Sequence, residues 1–164
     1  MIHMNKKISD IEFVFPKQID LESFVENPPL EPFSDEIVYF LNEFSKTLLK
    51  NSRLKEYPDL VTLSFFCRKA NIMLLKNKYT NPNVLRFGIG LVFHIAPSNV
   101  AVNFAYSLVS GLLSGNINIV RLPSILFEQV KIICEVLEKI SKDSIHNLIT
   151  SRISLVRYDR SSSA

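Results

Sequence analysis

The chain has 164 residues, of which 47% are apolar and 21% charged, and carries a net charge of +3. That length makes one domain or most of one, able to bury about two-thirds of its unfolded surface, and this composition excludes a disordered chain. The lysines are scattered rather than clustered among aromatics, which speaks against a nucleic-acid surface.

The opening MIHMNKKISD lacks the apolar stretch of a signal peptide. No uninterrupted apolar run approaches the roughly 20 residues of a membrane span. IEFVF, residues 11–15, reads as a short strand, and ENPPLEPFSDE is a proline-rich connector that cannot be helix interior. A helix follows with Ser34 as its cap and Asp35 and Glu36 in its first turn, where negative charge suits the helix dipole. Ile37, Phe40, Leu41, Phe44 and Leu48 form its apolar face. A second helix is expected from Pro58 to about Asn77, with Leu60, Leu63, Cys67, Ala70 and Leu74 as its stripe and Arg68 and Lys69 in solvent. TNPN, residues 80–83, is a turn. The first 83 residues are thus expected to form a strand, connector and helical segment, and residues 84–164 a separate α/β part.

The pattern then changes period. LVFHIA, residues 91–96, reads as a strand covered on both faces. Pro97, Ser98 and Asn99 break it, and VAVNFAYSLVSGLLS has the length and all-round apolarity of a helix sandwiched between layers. Gly115 suits the left-handed position after that helix. INIV, residues 117–120, is a second strand, ending at Arg121-Leu122-Pro123-Ser124. The next helix is expected to bury Leu126, Val130, Ile133, Leu137 and Ile140 and to leave Glu128, Lys131, Glu135 and Lys139 outside. ISLVRYD, residues 153–159, is a third strand, and RSSSA a tail.

Strand, helix, strand, helix, strand is the signature of a doubly wound parallel sheet with right-handed crossovers, and such sheets bind ligands at the carboxyl ends of their strands. The loops APSN and RLPS lie at the carboxyl ends of adjacent candidate strands and are expected to face one crevice. The backbone N–H groups and partial positive charge of a helix N-terminus, with Arg121 from the next strand, suit an anionic ligand. Neither a G-x-G-x-x-G turn nor a G-x-x-x-x-G-K-S/T loop occurs, so the standard dinucleotide fingerprint and the P-loop are both missing. His94, inside a strand, is expected to be a packed histidine, and Asn103 needs a hydrogen-bond partner that the sequence does not name. Cys67 and Cys134 lie far apart in apolar helical patterns, without metal-ligand spacing, and read as buried reduced thiols of a cytosolic protein.

The segment GLVFHIAPSNVAVNFAYSLVSGLLSGNINIVRLPS, residues 90–124, resembles the cofactor domain of the aldehyde dehydrogenase superfamily. It is more closely similar to the long-chain fatty acyl-CoA reductase family, which includes the reductase of the bacterial bioluminescence aldehyde-supplying complex and non-luminous relatives. YPDLVTLSFFCRKANI, residues 57–72, is similar to the same family. The resemblance implies a Rossmann-like aldehyde-dehydrogenase-type cofactor domain, of which this chain holds about three strands. It implies reduction of a fatty acyl-CoA, or an acylated protein donor, to aldehyde with NADPH through an acyl-cysteine thioester. It also implies acyl-transfer partner proteins and an oligomer when full length.

On that resemblance Ala96, Pro97, Ser98 and Asn99 form the cofactor turn. Asn99 matches an asparagine whose amide serves the oxyanion site, or else it is a plain helix cap. Arg121 matches the strand-end lysine at the adenosine ribose, and a guanidinium there favours a 2′-phosphate. Pro123 and Ser124 complete the strand-end loop. Ser124 stands near where NAD-preferring relatives place a glutamate, or else it caps the next helix. The family's nucleophilic cysteine lies downstream of this segment, so neither Cys67 nor Cys134 corresponds to it. The chain is therefore expected to be either part of a longer reductase or a non-catalytic truncated homologue with at most weak nucleotide binding, and sequence beyond Ala164 would separate the two.

Overall fold

The structure, a computed structural model, describes residues 11–158. The opening segment of residues 1–10, Asp159 and the RSSSA tail lie outside the described residues.

The element order is β1 (Glu12–Phe15), α1 (Leu21–Val25), α2 (Asp35–Leu49), a 3-10 turn (Ser52–Glu56), α3 (Pro58–Phe66), α4 (Lys69–Tyr79), β2 (Leu91–Ile95), α5 (Asn103–Leu113), β3 (Ile117–Arg121), α6 (Glu128–Ile140), a second 3-10 turn (Ser144–His146), α7 (Asn147–Thr150) and β4 (Ile153–Arg157). The sheet runs β1-β4-β3-β2. The β2, β3 and β4 strands are parallel, and β1 pairs antiparallel with β4, so the sheet is mixed.

Local chemistry sets many of these boundaries. Ser34 caps α2 by accepting from the Ile37 N–H at 3.5 Å, and the expected stripe of that helix is buried throughout. Gly115 has φ +81°, and a Cβ there would lie 2.0 Å from the Leu30 carbonyl oxygen. That close approach fastens the proline-rich connector: the Leu30 N–H donates to the Gly115 carbonyl at 2.9 Å, and the Gly88 N–H donates to the Leu30 carbonyl at 3.0 Å.

The helix expected over residues 58–77 is two helices. Arg68 is extended (φ −64°, ψ 139°), and the chain restarts at Lys69, whose N–H donates to the side-chain oxygen of Asn42 on α2 at 3.1 Å. The new helix axis changes which residues are buried: Ile72 faces the core, while Ala70 and Leu74 are exposed. The helix after β3 begins at Glu128, so Leu126 lies outside it and is 79% exposed rather than part of the stripe. Val130, Ile133, Leu137 and Ile140 are buried as expected. Arg53 bridges Glu128 and Glu135 on the outer side of α6.

The winding of the sheet departs most from expectation. Both crossovers, β2-α5-β3 and β3-α6-β4, step in the same direction across the sheet. Right-handed connections that step one way place their helices on one face. Only a reversal of strand order would put helices on the other face, and β2, β3 and β4 contain none. Consequently β2 is an edge strand, not one covered on both faces: Leu91, Phe93 and Ile95 are 45%, 48% and 66% exposed. Exposure on the sheet's second face is confined to this β2 edge, since Ile117, Ser154 and Val156 on the same face are buried; on the first face α5 buries Phe104, Ala105, Leu108, Val109, Leu112 and Leu113.

Candidate functional site

Alternation along β3 sorts the side chains. Asn118 and Val120 face α5, whereas Ile117, Ile119 and Arg121 face the other side of the sheet, where Ile117 and Arg121 are nonetheless buried. Parallel register sets Val92 beside Asn118 and His94 beside Val120. On the helix side, His94 and Asn118 make a side-chain hydrogen bond between Nε2 and Oδ1 of 3.0 Å, and the Asn118 amide donates to the Asn116 carbonyl at 2.8 Å. Gly111 of α5 passes directly above this pair, where a Cβ would lie 1.9 Å from Asn118 Oδ1. His94 is thus a packed, satisfied histidine.

The two loops emerge side by side. Ile95, the last residue of β2, is paired with Arg121, the last residue of β3. Residues 96–99 and 122–124 therefore leave the sheet from neighbouring strand ends. Asn99 and Pro97 are exposed, Ala96 and Ser98 are half-buried, Pro123 is buried and Ser124 is exposed.

Neither alternative capping role is found. Helix α5 starts at Asn103 with Val102 as its N-cap and no side-chain cap bond, because the chain first makes a turn that seats Ala101 and Val102 in the core. Asn99 precedes that turn. Asn103 is the first residue of α5 and half-buried rather than an interior polar group. Helix α6 has Phe127 as its N-cap, three residues beyond Ser124. The start of α5 has no side-chain cap, but backbone carbonyls serve much of its first turn: the Asn103 N–H donates to the Val100 carbonyl at 3.4 Å and the Ala105 N–H to the Val102 carbonyl at 3.0 Å.

Arg121 is 7% exposed. Its Cζ lies 4.6 Å from the centroid of the Tyr158 ring, and its Nη2 donates to the Tyr158 carbonyl at 3.5 Å. Its Nε is buried without a hydrogen-bond partner, and no carboxylate pairs with it among the described residues. Phe93 on β2 stacks on the other end of this cluster, its ring 6.4 Å from that of Tyr158. Beside the stack, Ile119, Val156, Phe13 and Leu21 line an apolar pocket of about 290 Å³. Sequence reasoning missed Tyr158 and Phe93: Tyr158 lies 37 residues from Arg121, and only the register of three strands brings the cluster together.

The thiols differ in chemistry from a catalytic cysteine. Both cysteines are buried, and burial pushes each thiol up to about 12. A nucleophilic cysteine needs the opposite shift. Among the described residues no cluster of His, Cys, Asp or Glu could hold a metal ion, and no helix is long and apolar enough to cross a membrane. Among the described residues, then, the strand ends hold a buried cation, Arg121, and neither cysteine is activated as a nucleophile.

Neither a curated protein nor a solved structure matches the chain. The family model described as Acyl-CoA reductase (LuxC) matches residues 69–164, which take in α4, the three parallel strands and both strand-end loops. That match spans more than half of the sequence, and the chain belongs to the LuxC acyl-CoA reductase family.

Proposed function

We propose that this chain supplies the nucleotide-binding part of a reductase that converts a long-chain acyl thioester to fatty aldehyde with NADPH. The acyl group is carried on a cysteine outside these 164 residues. The family match supports an acyl substrate and a nicotinamide cofactor. The observation that carries the finer reading is the parallel pairing of Ile95 with Arg121, which sets an asparagine-bearing turn and a strand-end cation at one edge of the sheet.

The residues fit such a cofactor. Arg121 has no paired carboxylate among the described residues, so a phosphate would have no counter-ion to displace. In this reading Arg121 holds the 2′-phosphate, and Ser124, exposed beside it, adds no negative charge that would repel one. Ala96, Pro97 and Ser98 shape the turn under the nucleotide, with Pro123 fixing the neighbouring loop. The Asn99 amide donates toward the oxygen on which charge develops, a contact worth about 3 kcal/mol in known oxyanion sites. When bound, NADPH supplies the hydride.

Titration of the chain with NADPH and NADH tests this. Arg121→Ala is expected to weaken NADPH by about tenfold or more, the worth of a hydrogen bond to a charged group, and NADH by less than threefold. Equal losses for both nucleotides would remove the 2′-phosphate contact.

A second reading, a non-catalytic homologue with at most weak nucleotide affinity, is equally compatible with the inert state of both cysteines. NADPH affinity that survives Arg121→Ala unchanged would support it. Both readings expect no aldehyde from acyl-CoA and NADPH with the 164-residue chain, and aldehyde formation would overturn the assignment of the nucleophile to another segment.

A further inference from the structure

We infer that Tyr158 is the positioning residue that holds the Arg121 guanidinium in place for an anionic ligand, with Phe93 bracing the tyrosine ring from the neighbouring edge strand. This rests on the cofactor role proposed for Arg121.

A guanidinium that is nine-tenths buried ordinarily has a carboxylate partner, because desolvating an unpaired charge is costly. Arg121 has none among the described residues. What it has is an aromatic face 4.6 Å from Cζ, which attracts a cation through the ring quadrupole. The ring is itself held: it stacks on Phe93 with an interplanar angle of 27°. The three groups come from β2, β3 and the residue just after β4, so the arrangement depends on the register of all three parallel strands.

Stacking and anion binding use different parts of a guanidinium. The ring takes its flat face, while its N–H donors lie in the plane and point outward. Of those donors Nη2 alone is engaged by the described residues, in a long 3.5 Å contact, and Nε has no partner among them. Tyr158 thus supports the Arg121 guanidinium through its ring and takes up none of its donors with that ring, so that they remain for an anion such as a phosphate. The tyrosine hydroxyl has no part in this; the ring does.

The test is nucleotide titration of the 164-residue chain carrying Arg121→Ala, Tyr158→Phe or Tyr158→Leu. Tyr158→Phe is expected to bind NADPH and NADH like the unmodified chain. Tyr158→Leu, which keeps apolar volume without a π face, is expected to weaken NADPH by about threefold to thirtyfold and NADH by less than twofold. A change in fold alone would weaken both nucleotides, so the NADPH-to-NADH ratio separates positioning from general damage. If Arg121→Ala lowers that ratio and Tyr158→Leu does not, the positioning role falls and the cofactor role stands. If the unmodified chain fails to bind NADPH, or Arg121→Ala leaves the ratio unchanged, both fall. A readout without nucleotide is the NMR shift of the Arg121 Nε proton, which the aromatic ring displaces. It is expected to move on Tyr158→Leu and to stay on Tyr158→Phe; an unmoved proton in the leucine variant overturns the stack.

Discussion

Cys67 and Cys134 show how burial alone decides a residue's chemistry. Each thiol is pushed up to about 12, mainly because the apolar interior disfavours a thiolate. Both are therefore expected to resist a disulfide reagent at pH 8 in the folded chain and to react promptly in denaturant, as thiol counting before and after unfolding would show. The same shift has a sign in stability. A group whose folded value is raised adds stability fully present below its unfolded value, near 9, and lost as pH rises toward the folded one. Denaturant midpoints are expected to hold between pH 7 and 8.5 and to fall above about 9. A midpoint that rises above pH 9 would contradict the burial of both thiols. The inert thiols were legible in the sequence, since both positions lie in helical apolar patterns. So were the cap at Ser34 and the left-handed backbone of Gly115, which depend on residues one turn away, though the contact of Gly115 with Leu30 was not. The burial of Arg121 was not, because its partner is the end of another strand.

Helix α4 illustrates what periodicity misses at the level of an element. An uninterrupted apolar pattern runs across residues 58–77, yet the helix breaks at Arg68 and restarts at Lys69. The restart has no side-chain cap from its own N-cap residue; Asn42, on α2, supplies the acceptor from 27 residues away. Asn42→Ala is expected to cost about 1 kcal/mol, the usual worth of a helix cap, read as a lower urea midpoint with unchanged slope. No measurable loss would mean that the break is fixed by packing around Cys67 instead. The late start of α5 has a similar origin, since a turn that buries Ala101 and Val102 comes before the helix. In both cases the boundary was set by tertiary contacts, and propensity gave only the existence of the helix.

For the molecule as a whole, the parallel pairing of β2, β3 and β4 was the legible part, and the antiparallel β1 and the covering of the sheet were not. Alternating strand and helix patterns implied parallel pairing and adjacent loops, and β2, β3 and β4 have that pairing. The face on which the helices lie depends on the direction in which the sheet grows, and residue pattern does not encode that direction. Because β2-β3-β4 grows one way, Leu91, Phe93 and Ile95 are left in the open on an edge strand. Such a surface attracts apolar dyes and other apolar surfaces. The folded chain is expected to enhance the fluorescence of an anilinonaphthalene dye, and Ile95→Lys to reduce that enhancement without lowering the thermal midpoint by more than a few degrees. Unchanged fluorescence would show that the dye binds elsewhere, for example in the groove of about 840 Å³ between α4, α5 and the segment leading to β2.

The main-chain clasp joining Leu30 to Gly88 and Gly115 bears on how the polypeptide acquires its shape during synthesis. A ribosome releases the proline-rich stretch long before it makes either glycine. Until Gly115 emerges, the Leu30 N–H has no native acceptor, and the first helices cannot be locked to the sheet that follows. The earliest-made third of the protein must therefore wait, unanchored, for a turn translated much later.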